Sequence, residues 1–303
     1  MGRAGRVIAA EGFLSGVGGR RIFWQSWSPN SEPRAAVIIV HGASEHSGRY
    51  GHVAQALVAD GYGVYALDHR GHGRSDGPRA VIDRLANAVA DIDRLVSQVR
   101  AEHPALPIVM LGHSMGGTIA VSYTIRHQER LTGLILSGPL AALEAAPAPL
   151  RMLGRVLSVL APRLPLIDID ASLVSRDPEV VRDYRADPLN HHGKLPARTI
   201  DELARAIDDF PEAVTTITLP VLILYGTADR LAPPSGAQML ERRIGAADKT
   251  TIAYPGLFHE ILNEPERAAV LTDIRGWLAE RLDASVAGGG AAAARDAAGS
   301  SIS

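Results

Sequence analysis

Short apolar runs that stop at turn signals alternate along the chain with stretches of helical periodicity. AAVIIV at 35–40 runs into His41-Gly42, GVYAL at 63–67 ends at Asp68, and IVML at 108–111 ends at Gly112. LIL at 134–136 ends at Ser137-Gly138, and VLILY at 221–225 at Gly226. Runs this short and continuously aliphatic are those of strands buried on both faces of a parallel sheet. Between them, Leu85, Val89, Ile92, Val96 and Val99 make one apolar stripe on a helix over 84–102. A last helix is expected to start near Asn263-Glu264-Pro265 and to run through Val270, Ile274, Trp277 and Leu278. The alternation predicts an open, mainly parallel α/β sheet flanked by helices, with an antiparallel hairpin around residues 12–27. From about 139 to 216 the rhythm breaks, with no clear strand, and a segment of that length is a candidate helical cap or lid. The expected division is therefore a core over 1–138, a cap over 139–216, a second core part over 217–283, and a disordered, small-residue tail over 284–303.

Composition narrows the classes. Net charge is −2 with no block of like charge, so neither a nucleic-acid footprint nor a polybasic membrane anchor is indicated. The chain has no cysteine, which excludes disulfides, thiolate metal sites and a cysteine nucleophile. Glu11 interrupts the one short apolar stretch near the start, and no run is long enough to span a bilayer. A cytoplasmic or peripherally membrane-associated protein is the expectation.

The chemistry centres on Gly112-His113-Ser114-Met115-Gly116. Four aliphatic residues precede it and a helical pattern follows, which is the strand–turn–helix of a nucleophile elbow and predicts the α/β-hydrolase fold. The flanking glycines relieve steric conflict at that turn, and the helix N-terminus favours developing negative charge. A serine needs a base, and in this fold the chain order is Ser, acid, His. Asp229, in the loop after VLILYG, fits the acid; after the strand ending at Leu136 no Asp is available. His259 fits the base, being the only one of eleven histidines after residue 192. His259-Glu260-Ile261-Leu262-Asn263 has Asn where a zinc helix needs its second His, so a metal site is rejected. The oxyanion donors are expected from the N–H groups of Met115 and Ala43, with Gly42 as the alternative to Ala43.

HGASEHSGRY (41–50), DHRGHGRSDG (68–77), GHSMGG (112–117), DPLNHHG (187–193), YGTADRL (225–231) and YPGLFHEILNE (254–264) together resemble the monoacylglycerol lipase family. The resemblance spans roughly residues 10 to 283. It implies hydrolysis of monoacylglycerols to fatty acid and glycerol through an acyl-enzyme, with no cofactor and a lid toward the lipid. It also implies a glycerol end of the site near Ala43, Glu45, Arg49 and His113, with a cap tyrosine at Tyr184. Ser44 stands where the family often has glycine. Glu45 and Arg49 can equally pair with each other as structure. PLRMLGRVLSVLAPRLP at 149–165 suits a membrane-facing or tunnel-covering helix, and equally a lid helix packed on the core. A lysophospholipase or broader carboxylesterase of the same fold, and a non-catalytic ligand-binding hydrolase fold, remain the competing readings.

Overall fold

The computed structural model describes residues 8–143 and 148–282. Ten strands and eight α-helices occur among them. In chain order they are β1 (Ile8–Ser15), β2 (Arg21–Ser28), β3 (Ala36–Val40), α1 (Gly51–Ala59), β4 (Gly63–Leu67) and α2 (Leu85–Glu102). Next come β5 (Ile108–His113), α3 (Met115–His127), β6 (Gly133–Ser137), α4 (Ala148–Leu160), β7 (Pro165–Ile167) and α5 (Pro178–Ala186). The last are β8 (Leu195–Pro196), α6 (Ala197–Ala213), β9 (Val221–Gly226), α7 (Pro234–Arg243), β10 (Lys249–Tyr254) and α8 over 267–282.

Eight strands form one sheet in the order β1-β2-β4-β3-β5-β6-β9-β10. β1 and β2 pair antiparallel, as does β2 with β4; every other neighbouring pair is parallel. The hairpin anticipated over 12–27 is the β1–β2 pair, longer at its open end. All five residues of β3 and of β6 are buried, and their side chains alternate between two cores. Ile38 and Val40 join a cluster with α2, α3, α6 and α7, while Val37 and Ile39 join one with α1 and α8. This two-faced burial is why the runs show no polar alternation.

The α2 stripe of Leu85, Val89, Ile92, Val96 and Val99 lies entirely in the first cluster. Val270, Ile274, Trp277 and Leu278 of α8 lie in the second. Each such side chain contributes about 1.5–3 kcal/mol by leaving water. α8 starts later than anticipated. Ile261–Asn263 is instead a 3-10 turn, and Asn263 Nδ2 donates to Glu260 Oε2 at 2.9 Å rather than capping a helix.

The segment between β6 and β9 is not uniform. β7 and β8 pair antiparallel as a separate two-stranded sheet, which strands of three and two residues beside prolines gave no periodicity to reveal. α6 belongs to the helical layer over the sheet, placing Leu203, Ile207 and Phe210 in the first cluster. α4 lies outside it, held to α6 by Ser158 Oγ donating to Asp201 Oδ2 at 2.7 Å. Its other face leaves Met152, Leu153, Val156, Val159 and Leu160 exposed. The tail expected over 284–303 lies outside the described residues.

Candidate active site

The parallel register aligns the C-terminal ends of the central strands: His113 pairs with Ser137, and Ser137 with Leu224. Side chains that follow those ends share one rim of the sheet. Ser114 follows β5 directly and turns the chain into α3 with φ 55° and ψ −122°, a conformation L residues seldom adopt. The turn is possible because α3 presses against β3. A Cβ on Gly116 would stand 2.0 Å from Val40 O. Ser114 N–H donates to Ser137 O at 3.2 Å, and Ser114 O accepts from Leu140 N–H at 3.1 Å. The elbow is thereby tied to the end of β6.

Asp229 and His259 meet across the loops after β9 and β10. His259 Nδ1 and Asp229 Oδ2 lie 2.7 Å apart and both side chains are buried. Asp229 Oδ1 accepts the N–H groups of Leu231 and Ala232, both at 2.9 Å, which leaves Oδ2 for the imidazole. Burial alone would lower the His259 pKa, but the Asp229 charge and hydrogen bond outweigh it and raise the value. Burial pushes Asp229 upward, and the same pairing with His259 brings it below its ordinary range. The His259 ring lies 4.7 Å from that of His113, the residue before Ser114. Gly138, at φ +49°, closes the arrangement from β6; a Cβ there would meet His259 O at 2.9 Å and Asp229 Oδ2 at 3.4 Å.

The loop after β3 faces the elbow. A Cβ on Gly42 would lie 3.1 Å from Ser114 Cβ. The Gly42 N–H is already committed, donating to Glu45 Oε1 at 2.5 Å. Neither the Ala43 N–H nor the Met115 N–H meets a protein acceptor among the described residues. Of the two sequence candidates for the first donor, Ala43 is therefore the one with a free N–H.

Glu45 and Arg49, anticipated at the polar end, are consumed by a buried network. Glu45 Oε1 also accepts from Tyr50 OH at 2.7 Å, and Glu45 Oε2 from Arg49 Nη1 at 2.8 Å. Arg49 in turn grips both Glu260 oxygens, at 2.6 and 2.7 Å. Burial works against ionising these acids, yet Arg49 holds Glu45 below its usual range and Glu260 at about 2. Tyr184, from α5, is buried with its ring 4.8 Å from the Arg49 guanidinium, and its OH donates to Ser44 O at 3.4 Å. His46 Nε2 lies 2.9 Å from Asp187 Oδ2, and His191 N–H donates to Ser44 O at 3.0 Å. The DPLNHHG stretch thus docks onto the 41–50 loop. Ser44 has φ 63°, the left-handed region that explains a preference for glycine there.

Sequence reasoning singled out neither Glu260 nor Asp68. Asp68 accepts Ser47 N–H and Ser47 Oγ–H on one oxygen, at 2.8 and 2.6 Å, and Arg74 N–H on the other at 2.8 Å. The one available signal was their place inside the quoted motifs. Behind the loop, His41, His69 and His72 are all buried, and burial lowers each of their pKa values. His69 N–H donates to His41 Nε2 at 2.9 Å, so His41 is neutral with its proton on Nδ1, facing Gly42 O at 2.8 Å. Near the site, a cleft of about 560 Å³ is lined by Ser172, Ser175, Arg176, Val181, Arg182 and Phe258. Neither Ser114 nor His259 lines it. No group of three His, Cys, Asp or Glu side chains among the described residues is arranged to hold a metal ion.

Comparison with known proteins identifies the family and the fold. The model of the family described as serine aminopeptidase, S33, matches residues 31–266. A monoacylglycerol lipase of Mycolicibacterium smegmatis is 43% identical over 274 residues, covering 90% of this chain and 98% of the relative. A monoglyceride lipase of Homo sapiens is 35% identical over 272 residues, covering 88% of this chain and 90% of the relative. The crystal structure of Paleococcus ferrophilus monoacylglycerol lipase is similar with a TM-score of 0.76 at 29% identity, covering 91% of this chain and 99% of that one.

Proposed function

The chain belongs to the monoacylglycerol lipase family of α/β-hydrolases, and from that premise we propose that it cleaves monoacylglycerols to fatty acid and glycerol. The observation that carries the reading is the buried 2.7 Å Asp229–His259 pair on the same sheet rim as the strained Ser114. With Nδ1–H donating to Asp229, His259 Nε2 is the unprotonated base. It takes the Ser114 proton as Oγ attacks the ester carbonyl, the two groups coming within hydrogen-bond reach when substrate binds. The N–H groups of Met115 and Ala43 receive the oxyanion, each worth about 2.7–4 kcal/mol if it behaves as a typical donor. The carbonyl re-forms, glycerol leaves with the proton from His259, and the acyl group stays on Ser114. Water then attacks the acyl-enzyme, giving its proton to His259, and the fatty acid departs as Ser114 recovers it.

His113 is the group beside the nucleophile suited to a neutral diol. Its Nδ1–H is given to Ser137 O at 2.9 Å and burial lowers its pKa, so the neutral ring keeps Nε2 as an acceptor. Glu45 and Arg49 serve the glycerol end by holding the 41–50 loop, and Tyr184 by packing on Arg49. The segment carrying α4, β7 and α5 is the cap, with α6 assigned to the core. The exposed apolar face of α4, continued by Leu166 and Ile167 of β7, is the surface that meets a lipid aggregate. No helix of the described residues is long and apolar enough to cross a membrane.

A substrate panel tests the reading. The native chain and Ser114→Ala are assayed on mono-, di- and triacylglycerols and a lysophospholipid, with fluorophosphonate labelling alongside. Monoacylglycerol turnover is expected to exceed the others and to fall about 10⁵–10⁶-fold in Ser114→Ala, with labelling lost. Labelling without monoacylglycerol turnover would overturn the substrate, and no labelling of the native chain would overturn the nucleophile.

A further inference from the structure

A second concave site lies where the β1–β2 turn, the loop over 77–83 and the start of α6 converge. Its cavity of about 270 Å³ is lined by Arg20, Arg70, Arg163 and Arg198 against one acid, Asp83. That acid is already compensated. Asp83 accepts Arg70 Nη1 on both oxygens, at 2.8 and 3.1 Å, and Arg84 N–H at 2.9 Å. Burial would raise its pKa, but Arg70 holds it low. Arg70 is itself buried and also grips Asp91 Oδ2, at 2.7 and 3.0 Å.

The other three arginines are poorly matched. The Arg20 and Arg163 side chains meet no acid and no hydrogen-bond acceptor among the described residues. Among the described residues the Arg198 side chain has only Glu202, at 3.5 Å, and the second oxygen of that carboxylate accepts Leu85 N–H at 2.8 Å. Arg198 also sits in the first turn of α6, which has no acidic residue there and no side-chain cap. A cation at that end opposes the helix dipole. Unmatched like charges around a cavity break a local rule of stability, and such breaks mark sites of function.

We propose that this pocket binds a phosphoryl group. A phosphate monoester offers two charges and three terminal oxygens to guanidinium forks, which suits Arg20, Arg163 and Arg198 better than a single carboxylate would. The arginines come from separate segments, so a bound phosphoryl group ties the stretch after α4 to the sheet and restrains the insertion. The group can come from the headgroup of an anionic lipid or from a soluble phosphate ester.

The experiment uses the full chain in two arms. Inorganic phosphate is titrated calorimetrically against a chloride control at equal ionic strength. Vesicles of phosphatidylcholine with and without phosphatidic acid are tested by co-sedimentation. Arg20→Glu and Arg163→Glu break no side-chain hydrogen bond or ion pair among the described residues, and unchanged turnover of a soluble ester reports intact folding. Saturable binding of either probe, at least tenfold weaker in both variants, is the expected result. Binding of free phosphate assigns a soluble ligand, and binding of phosphatidate vesicles alone assigns a headgroup. No saturable binding in either arm, or equal binding by the variants, would overturn the proposal.

Discussion

Ser114, Asp229 and His259 each follow the end of a sheet strand, and their properties come from local constraints. The elbow costs Ser114 about 1–3 kcal/mol of backbone strain, offset by the close contact of α3 with β3. His259 is subject to two opposed effects: burial lowers its pKa and Asp229 raises it, with Asp229 prevailing. The neutral base is therefore lost as pH falls through a value above 6.5, and kcat/KM is expected to fall with it. Replacing Asp229 with Asn removes the largest raising influence and leaves burial opposed only by the charges of Glu260 and Glu45. The acid limb of the kcat/KM profile should then move to lower pH, with kcat down by about 10⁴-fold. A pH–rate profile of both proteins checks this; an unmoved acid limb would count against Asp229 as the partner. Ser114 and Asp229 were legible in the sequence because each sits just past an aliphatic run, and His259 because the chain order asks for a late histidine and it is the only one after residue 192. Glu260 was not, since its partner Arg49 is 211 positions away and nothing local records their meeting.

At the scale of elements, the loop over 41–50 is held by side chains rather than by regular structure. Glu45 braces Gly42, Tyr50 and Arg49 together, so one residue sets the course of the backbone that carries Ala43. Glu45→Ala strands the Gly42 N–H and Tyr50 OH in a buried place and takes one acid from Arg49. A loss of about 3–5 kcal/mol is expected, read as a lower midpoint in urea unfolding at unchanged slope. Turnover by the folded fraction should fall as well, through displacement of the Ala43 donor. The central strands and the stripes of α2 and α8 were legible because two-sided burial and a 3.6-residue period leave marks on the chain. β7 and β8 were too short to leave any. The true start of α8 was hidden for another reason: Glu260 is drawn back to Arg49 and keeps the Asn263 side chain, so the turn at 261–263 replaces a cap.

Over the whole molecule, apolar surface is distributed unevenly. Val159 is 62% and Leu160 is 78% exposed, in a chain whose central strands are wholly covered. If this face meets lipid, Leu160→Asp should weaken co-sedimentation with neutral phosphatidylcholine vesicles about tenfold, as loss of one buried leucine implies. Turnover of a soluble ester should be unchanged, and undiminished sedimentation would refute the contact. The same large scale governs when activity can first appear. The sheet runs almost in chain order, so the rim joins Gly42 to Ser114 and only at its far end reaches Asp229 and His259. During translation, at roughly 5–20 residues per second, Ser114 precedes His259 by about 7–30 s. Through that interval the nascent chain carries its serine and no base. A chain cut short of His259 is thus without its base, and a ribosome stalled before the last strand releases an inert product.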